Sequence, residues 1–131
     1  MATRIVTSLL ISRSCAILFS RVLGLAGTPI TQATISSITA ETLDLEYGRA
    51  VVWGPNALTV ASVVYNSLIQ NDQAWYEAGG DSLGYNFKYT FPAAALAIAG
   101  KRIRFDVKFI AATADQFIVQ AEGNMRPTWI A

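Results

Sequence analysis

From residue 102 to residue 109 apolar and polar side chains alternate without a break. Ile103, Phe105, Val107 and Phe109 fall on one face, and Arg102, Arg104, Asp106 and Lys108 on the other. Period two is the signature of a strand with one face buried. The charges on its outer face alternate in sign, which suits a solvated sheet surface, with a docking face as the alternative. Residues 85–91 repeat the pattern: Tyr85, Phe87, Tyr89 and Phe91 point inward, and Asn86, Lys88 and Thr90 outward. These aromatics, with the apolar face of 102–109, make up the predicted core. Pro92 ends that strand, because it cannot donate to a ladder and holds Phe91 extended.

Weaker strand signals cover Ala16–Leu25, Ala33–Leu45, Gly48–Trp53, Ala57–Val60 and Gln116–Ala121. They are separated by Gly27-Thr-Pro-Ile, Trp53-Gly-Pro-Asn and Ala99-Gly-Lys, where Gly supplies positive φ and Pro fixes φ near −65°. Val63–Gln70 reads as a short helical turn, and the alanine-rich Ala93–Ile98 as one turn of α- or 3₁₀-helix. About seven short strands with no long helix between them predict an all-β fold, an antiparallel sandwich. No internal repeat or linker divides the chain. The expected partition is an extended N-terminal arm over 1–14, one sandwich domain over 15–125 and a tail over 126–131.

Composition narrows the function. The 131 residues are 53% hydrophobic and only 15% charged, against about 45–50% and about 25% for ordinary globular chains. The surface is therefore thinly charged, and disorder is excluded as a global description. Ten Lys and Arg against nine Asp and Glu give a net charge of +1, too little to hold a phosphate backbone in salt, so nucleic acid is not an expected partner. There is no histidine and one cysteine, which removes histidine-based triads, the usual zinc sets and any disulfide within the chain. Cys15, beside Ala16-Ile17-Leu18, reads as a small buried hydrophobe despite the nearby Arg13.

The N-terminal stretch carries Arg4, Arg13 and Arg21 before the first acid, Glu41, the composition of a transit peptide. Thr7 and Ser8 break its apolar run, and Arg13 and Arg21 interrupt every window long enough for a membrane span. An apolar arm gripping a neighbouring chain is the preferred reading, through Ile5, Leu9, Leu10 and Ile11. Trp129 and Ile130 do the same at the other terminus, where an apolar tail tip calls for an intermolecular socket.

Several strings of residues carry potential chemistry. Gly79-Gly80-Asp81-Ser82-Leu83 resembles both the phosphopantetheine attachment site of carrier proteins and the nucleophile block of Gly-Asp-Ser-Leu hydrolases. The first needs the serine to open a helix, but Gly84 and an aromatic strand follow. The second needs a histidine, and there is none. A loop between two elements is the expected reading. The nine carboxylates show no spacing that selects a catalytic pair. Asp44 and Glu46 share a strand face, and Asp72, Glu77 and Asp81 share a loop that lacks the alternating ligands and central Gly of a calcium loop. Trp53, Trp75 and Tyr76 could form a stacking platform for a carbohydrate, or serve as core and interface anchors. No catalytic residue, cofactor or metal ligand is assigned.

Three segments carry a resemblance. They are Leu25-Ala-Gly-Thr-Pro-Ile-Thr-Gln-Ala-Thr-Ile-Ser-Ser-Ile-Thr39, Leu58-Thr-Val-Ala-Ser-Val-Val-Tyr-Asn-Ser-Leu68, and Trp75 followed by Asp81 and Gly84-Tyr-Asn-Phe-Lys-Tyr-Thr-Phe-Pro-Ala93. Together, and with Lys101–Phe109 as a late strand, they resemble small immunoglobulin-like structural proteins of tailed bacteriophages and prophages. The Pro-x-x-Gly turn of that pattern is replaced here by Ala111-Ala-Thr-Ala-Asp115. The resemblance implies an immunoglobulin-like sandwich in the virion, without an active site. The protein is then expected to be a capsid cement or decoration protein acting as a homo-oligomer on the major capsid protein. A tail, baseplate or neck adaptor bound to tail proteins is the alternative, and a carbohydrate-binding module the rival of another class. Neither a membrane nor a cofactor enters.

Overall fold

The computed structural model describes residues 5–11, 16–24, 28–45, 50–96 and 102–124. The elements in chain order are β1 (Ile5–Ile11), β2 (Ala16–Val22), β3 (Ile35–Asp44), β4 (Ala50–Leu58), α1 (Val60–Val63), β5 (Val64–Ile69), α2 (Gln73–Glu77), β6 (Tyr85–Phe91), β7 (Arg102–Ala111) and β8 (Gln116–Asn124). Short 3₁₀ turns occupy Gln32–Thr34 and Ala93–Leu96. Two four-stranded sheets result, in the orders β1-β2-β6-β5 and β4-β3-β7-β8, and all neighbours run antiparallel. The all-β expectation holds, with eight strands among the described residues. No helix among them is long and apolar enough to cross a membrane.

The two sheets bury one core. β7 supplies Ile103, Phe105, Val107 and Phe109, all fully buried, as its alternation dictates. From the opposite sheet Phe87 meets Phe109 edge-on at 5.1 Å and Phe91 meets Phe105 at 4.9 Å. Edge-to-face contact at these distances adds about 0.5–1.5 kcal/mol to simple burial. Ala16, Leu18 and Val22 of β2, Ile35, Ile38 and Ala40 of β3 and Val119 of β8 belong to the same cluster, together with Ile30, Val63, Val64 and Ala95. On the outer face of β7, Arg104 forms a two-pronged bond to Asp106 at 2.9 Å, and Arg102 reaches Glu122 of β8 at 4.0 Å. Charge is largely balanced within the face.

Four expectations are corrected. The segment 5–11 is not a free arm: β1 pairs residue for residue with β2, from Ile5 opposite Val22 to Ile11 opposite Ala16. Leu9 packs on the inter-sheet core, while Leu10 packs on a second cluster built on Phe19, Trp75 and Tyr85. Both faces of this sheet are covered, which is why the segment shows no clean alternation. Second, Tyr85 is buried but belongs to that outer cluster, and Tyr89 is only half-buried against the main core. The β2–β6 ladder ends at Ser20 opposite Phe87, and beyond it the Asn86 side chain takes over the bonds. It accepts from the Val22 N–H at 2.8 Å and donates to the Val22 and Ile30 carbonyls. Asn86 turns inward and Tyr85 outward.

Third, Trp53-Gly-Pro-Asn is no turn. β4 continues through a cis Gly54–Pro55 bond; neither residue has a register partner in β3, and β4 is an edge strand, the setting in which a strand accepts proline. Its register with β3 shifts on both sides of Thr42. Fourth, Val64–Ile69 is a strand, with the helical turn confined to α1 before it. The 3₁₀ turn at Ala93–Leu96 agrees with the sequence reading, and the buried Thr42 hydroxyl donates to Ala95 O at 3.1 Å to hold it against β3.

Candidate functional site

α2 is the unpredicted element, five residues long. Asp72 caps it by accepting from the Ala74 N–H at 3.0 Å, the role expected of Asp at that position. Its inner side chain, Trp75, is fully buried, with the Phe19 ring at 5.9 Å and Tyr85 at 5.4 Å. The indole N–H donates to Asp81 O at 2.6 Å. Gly79 has φ +96°, and a Cβ on Gly80 would stand 2.1 Å from the indole ring. Arg21 of β2 then clasps the Asp81 carboxylate with two bonds, 2.6 and 2.9 Å, and donates to Gly84 O at 3.1 Å. That guanidinium holds the Asp81 carboxyl below the usual carboxylate range. Gly79–Leu83 is thus a loop locked onto a tryptophan and an arginine, with Ser82 exposed beside it.

A second polar group lies at the other end of α2. The Tyr85 hydroxyl donates to Asp72 Oδ2 at 2.5 Å, and Lys88 Nζ reaches the same oxygen at 3.3 Å while lying 5.5 Å over the Phe19 ring. The Tyr85 bond first, with Lys88 and the Ala74 amide behind it, pulls the Asp72 carboxyl below its ordinary value. Burial first, then Asp72, pushes the Tyr85 phenol well above its own. Two carboxylates of the imagined calcium loop therefore have other partners, and among the described residues no three His, Cys, Asp or Glu side chains gather in a metal-holding group.

The stacking platform is not assembled. Trp75 is buried under its own loop, Trp53 stacks on Tyr89 at 6.3 Å and 25°, and Tyr76 donates its hydroxyl to Gln70 O at 2.7 Å. Of the expected interface residues, Leu9 and Leu10 pack within the fold. Ile5 and Ile11 are β1 residues whose side chains lie outside the described set. Trp129 and Ile130 lie outside the described residues, as do Cys15 and Glu46.

One concave surface stands out, a cleft of about 440 Å³ at one end of the sandwich. One wall is the segment after β2 with the 3₁₀ turn, carrying Pro29, Ile30, Ala33 and Ile35; the other is the β7–β8 hairpin, carrying Ala112 and Phe117, with Thr113 and Asp115 at the rim. The Ala112 N–H donates to Thr34 O at 2.9 Å and joins the two walls. Gln32 fixes the turn to β5, its side chain donating to Val64 O at 2.8 Å and its backbone N–H to the Asn66 side chain at 2.8 Å. Phe117 is braced by a parallel stack on Phe109 at 5.3 Å. The cleft has mostly apolar walls and one carboxylate, Asp115, among its lining residues. No periodicity in the sequence could reveal it, because two loops far apart in the chain make it; Gly27-Thr-Pro-Ile and Ala111–Asp115 read only as turns.

No protein-family model matches the chain, and neither a curated protein nor a solved structure matches it.

Proposed function

We propose that this protein is a structural component of a tailed-bacteriophage virion, a capsid cement or decoration protein that stabilises the shell through contacts between subunits. The observation that carries the reading is the strand order. β1-β2-β6-β5 over β4-β3-β7-β8 has the connectivity of immunoglobulin-type sheets ABED and CFG with one further strand beside C. That order supports the immunoglobulin-like resemblance and takes in β1, β2, β4 and β8, which the segments that first carried it do not supply. The polar side chains around α2 and the start of β6 point the same way, since Arg21, Asp72, Asp81, Tyr85 and Asn86 bond to one another or to the backbone and brace the fold. A rigid body with an apolar cleft at one end suits a part whose work is to be held between neighbours.

Heating tests the reading. DNA-filled shells lacking the protein are warmed with and without it, and DNA release is followed by dye fluorescence. Cement raises the release temperature in proportion to occupancy until the shell sites fill. An unchanged release temperature at saturating protein overturns the proposal.

A further inference from the structure

We infer that the end cleft is the socket for the tail of a second copy of this chain, taking Trp129 and Ile130 into its apolar walls with Arg126 against the Asp115 rim. The inference rests on the reading of the protein as an assembly component. Three observations carry it. The cleft, about 440 Å³, falls within the range of about 300–1,000 Å³ of sites that enclose a ligand. Its lining is mostly apolar, through Pro29, Ile30, Ile35, Ala112 and Phe117, and Asp115 is the one carboxylate among its lining residues. The tail matches that chemistry in order: Arg126-Pro-Thr-Trp-Ile130 offers a cation, then an aromatic and an aliphatic side chain.

Geometry selects whose tail it is. β8 starts beside the cleft at Gln116 and ends at Asn124, at the opposite end of the sandwich. To fill the cleft of its own chain, the tail would have to reverse after Asn124 and run back roughly 23 Å to Phe117 at about 3.3 Å per residue. Trp129 lies too few residues beyond Asn124 to turn and cover that distance. A neighbouring copy has no such constraint. Each copy then carries a donor at one end and an acceptor at the other, a head-to-tail contact that closes into a ring or runs on as a filament.

Sedimentation velocity on the full chain tests this with two variants, each lacking one half of the junction. Trp129→Ala removes the donor, and Ala33→Trp fills the acceptor at an exposed position. The wild type should associate with rising concentration. Each variant alone should associate at least about thirtyfold more weakly, the loss of a central aromatic anchor, with an unchanged melting temperature. Mixed in equal amounts, they should form one junction and stop at the pair. Should Ala33→Trp fail to fold, the charge exchange Asp115→Arg with Arg126→Asp replaces it: each single change weakens association, and the double change restores it. A Trp129→Ala chain that associates like the wild type, a mixture no larger than its parts, or a wild type monomeric throughout overturns the inference. Shell binding separates the two readings. A monomeric wild type that still loads shells fully refutes the socket and leaves cement standing, whereas tail-dependent association without shell binding does the reverse.

Discussion

A Cβ at Gly80 would stand 2.1 Å from the Trp75 indole, so a single methyl group there displaces the loop or the ring. Gly80→Ala should cost about 1–3 kcal/mol, the usual cost of overpacking, and shift the tryptophan emission to the red as Trp75 loses its cover. An unchanged urea midpoint would mean that the loop does not rest on the indole. At the other end of α2, Asp72 tests the electrostatics. Its folded-state pKa is depressed, so its contribution is present above the unfolded value, about 3.9, and is lost as pH falls through the lower folded value. Asp72→Asn keeps an N-cap oxygen but removes the charge facing Lys88 and Tyr85. The variant should be about 1 kcal/mol less stable at pH 7 and lose less stability than the wild type on acidification below about pH 4. Parallel stability curves for the two proteins would refute that role.

Among the elements, β7 is legible because water meets one of its faces and the core the other, and β6 is legible only over 87–91, where Phe87 and Phe91 meet the core while Lys88 is half-buried and Thr90 exposed on the other face. Phe105→Ala in β7 should cost about 3–5 kcal/mol by chemical denaturation; a loss below about 1 kcal/mol would put the core on the wrong face. β1 was not legible for the converse reason, since Leu9 and Leu10 are both covered, one by the opposite sheet and one by the Trp75 cluster. β4 hid behind Gly54-Pro55, a turn signal that an edge strand absorbs. α2 is too short for periodicity and is held by the buried Trp75, the Asp72 cap and the Tyr76 bond to Gln70 rather than by propensity. Tyr85 was misplaced because Asn86, a side chain, completes the ladder. In the β7–β8 hairpin Ala114 sits at φ 71°, where a Cβ is strained. Ala114→Gly should therefore raise the melting temperature and add about 0.5–1 kcal/mol; a lower melting temperature would show that the turn does not need that conformation.

The molecule as a whole is a braced sandwich whose covered parts were partly written in the sequence and whose cleft was not. Strands leave a periodic trace because each residue meets one environment, whereas a cleft between the Thr28–Ile35 segment and the Ala111–Phe117 hairpin depends on two loops meeting in space. If, as proposed, this body is a part held by other virion proteins, the most direct measurement is co-sedimentation with virion shells that lack it, at moderate salt. The protein should pellet with the shells at a fixed ratio set by the number of shell subunits, and excess protein should stay behind. A protein left wholly in the supernatant at every concentration would contradict the proposal.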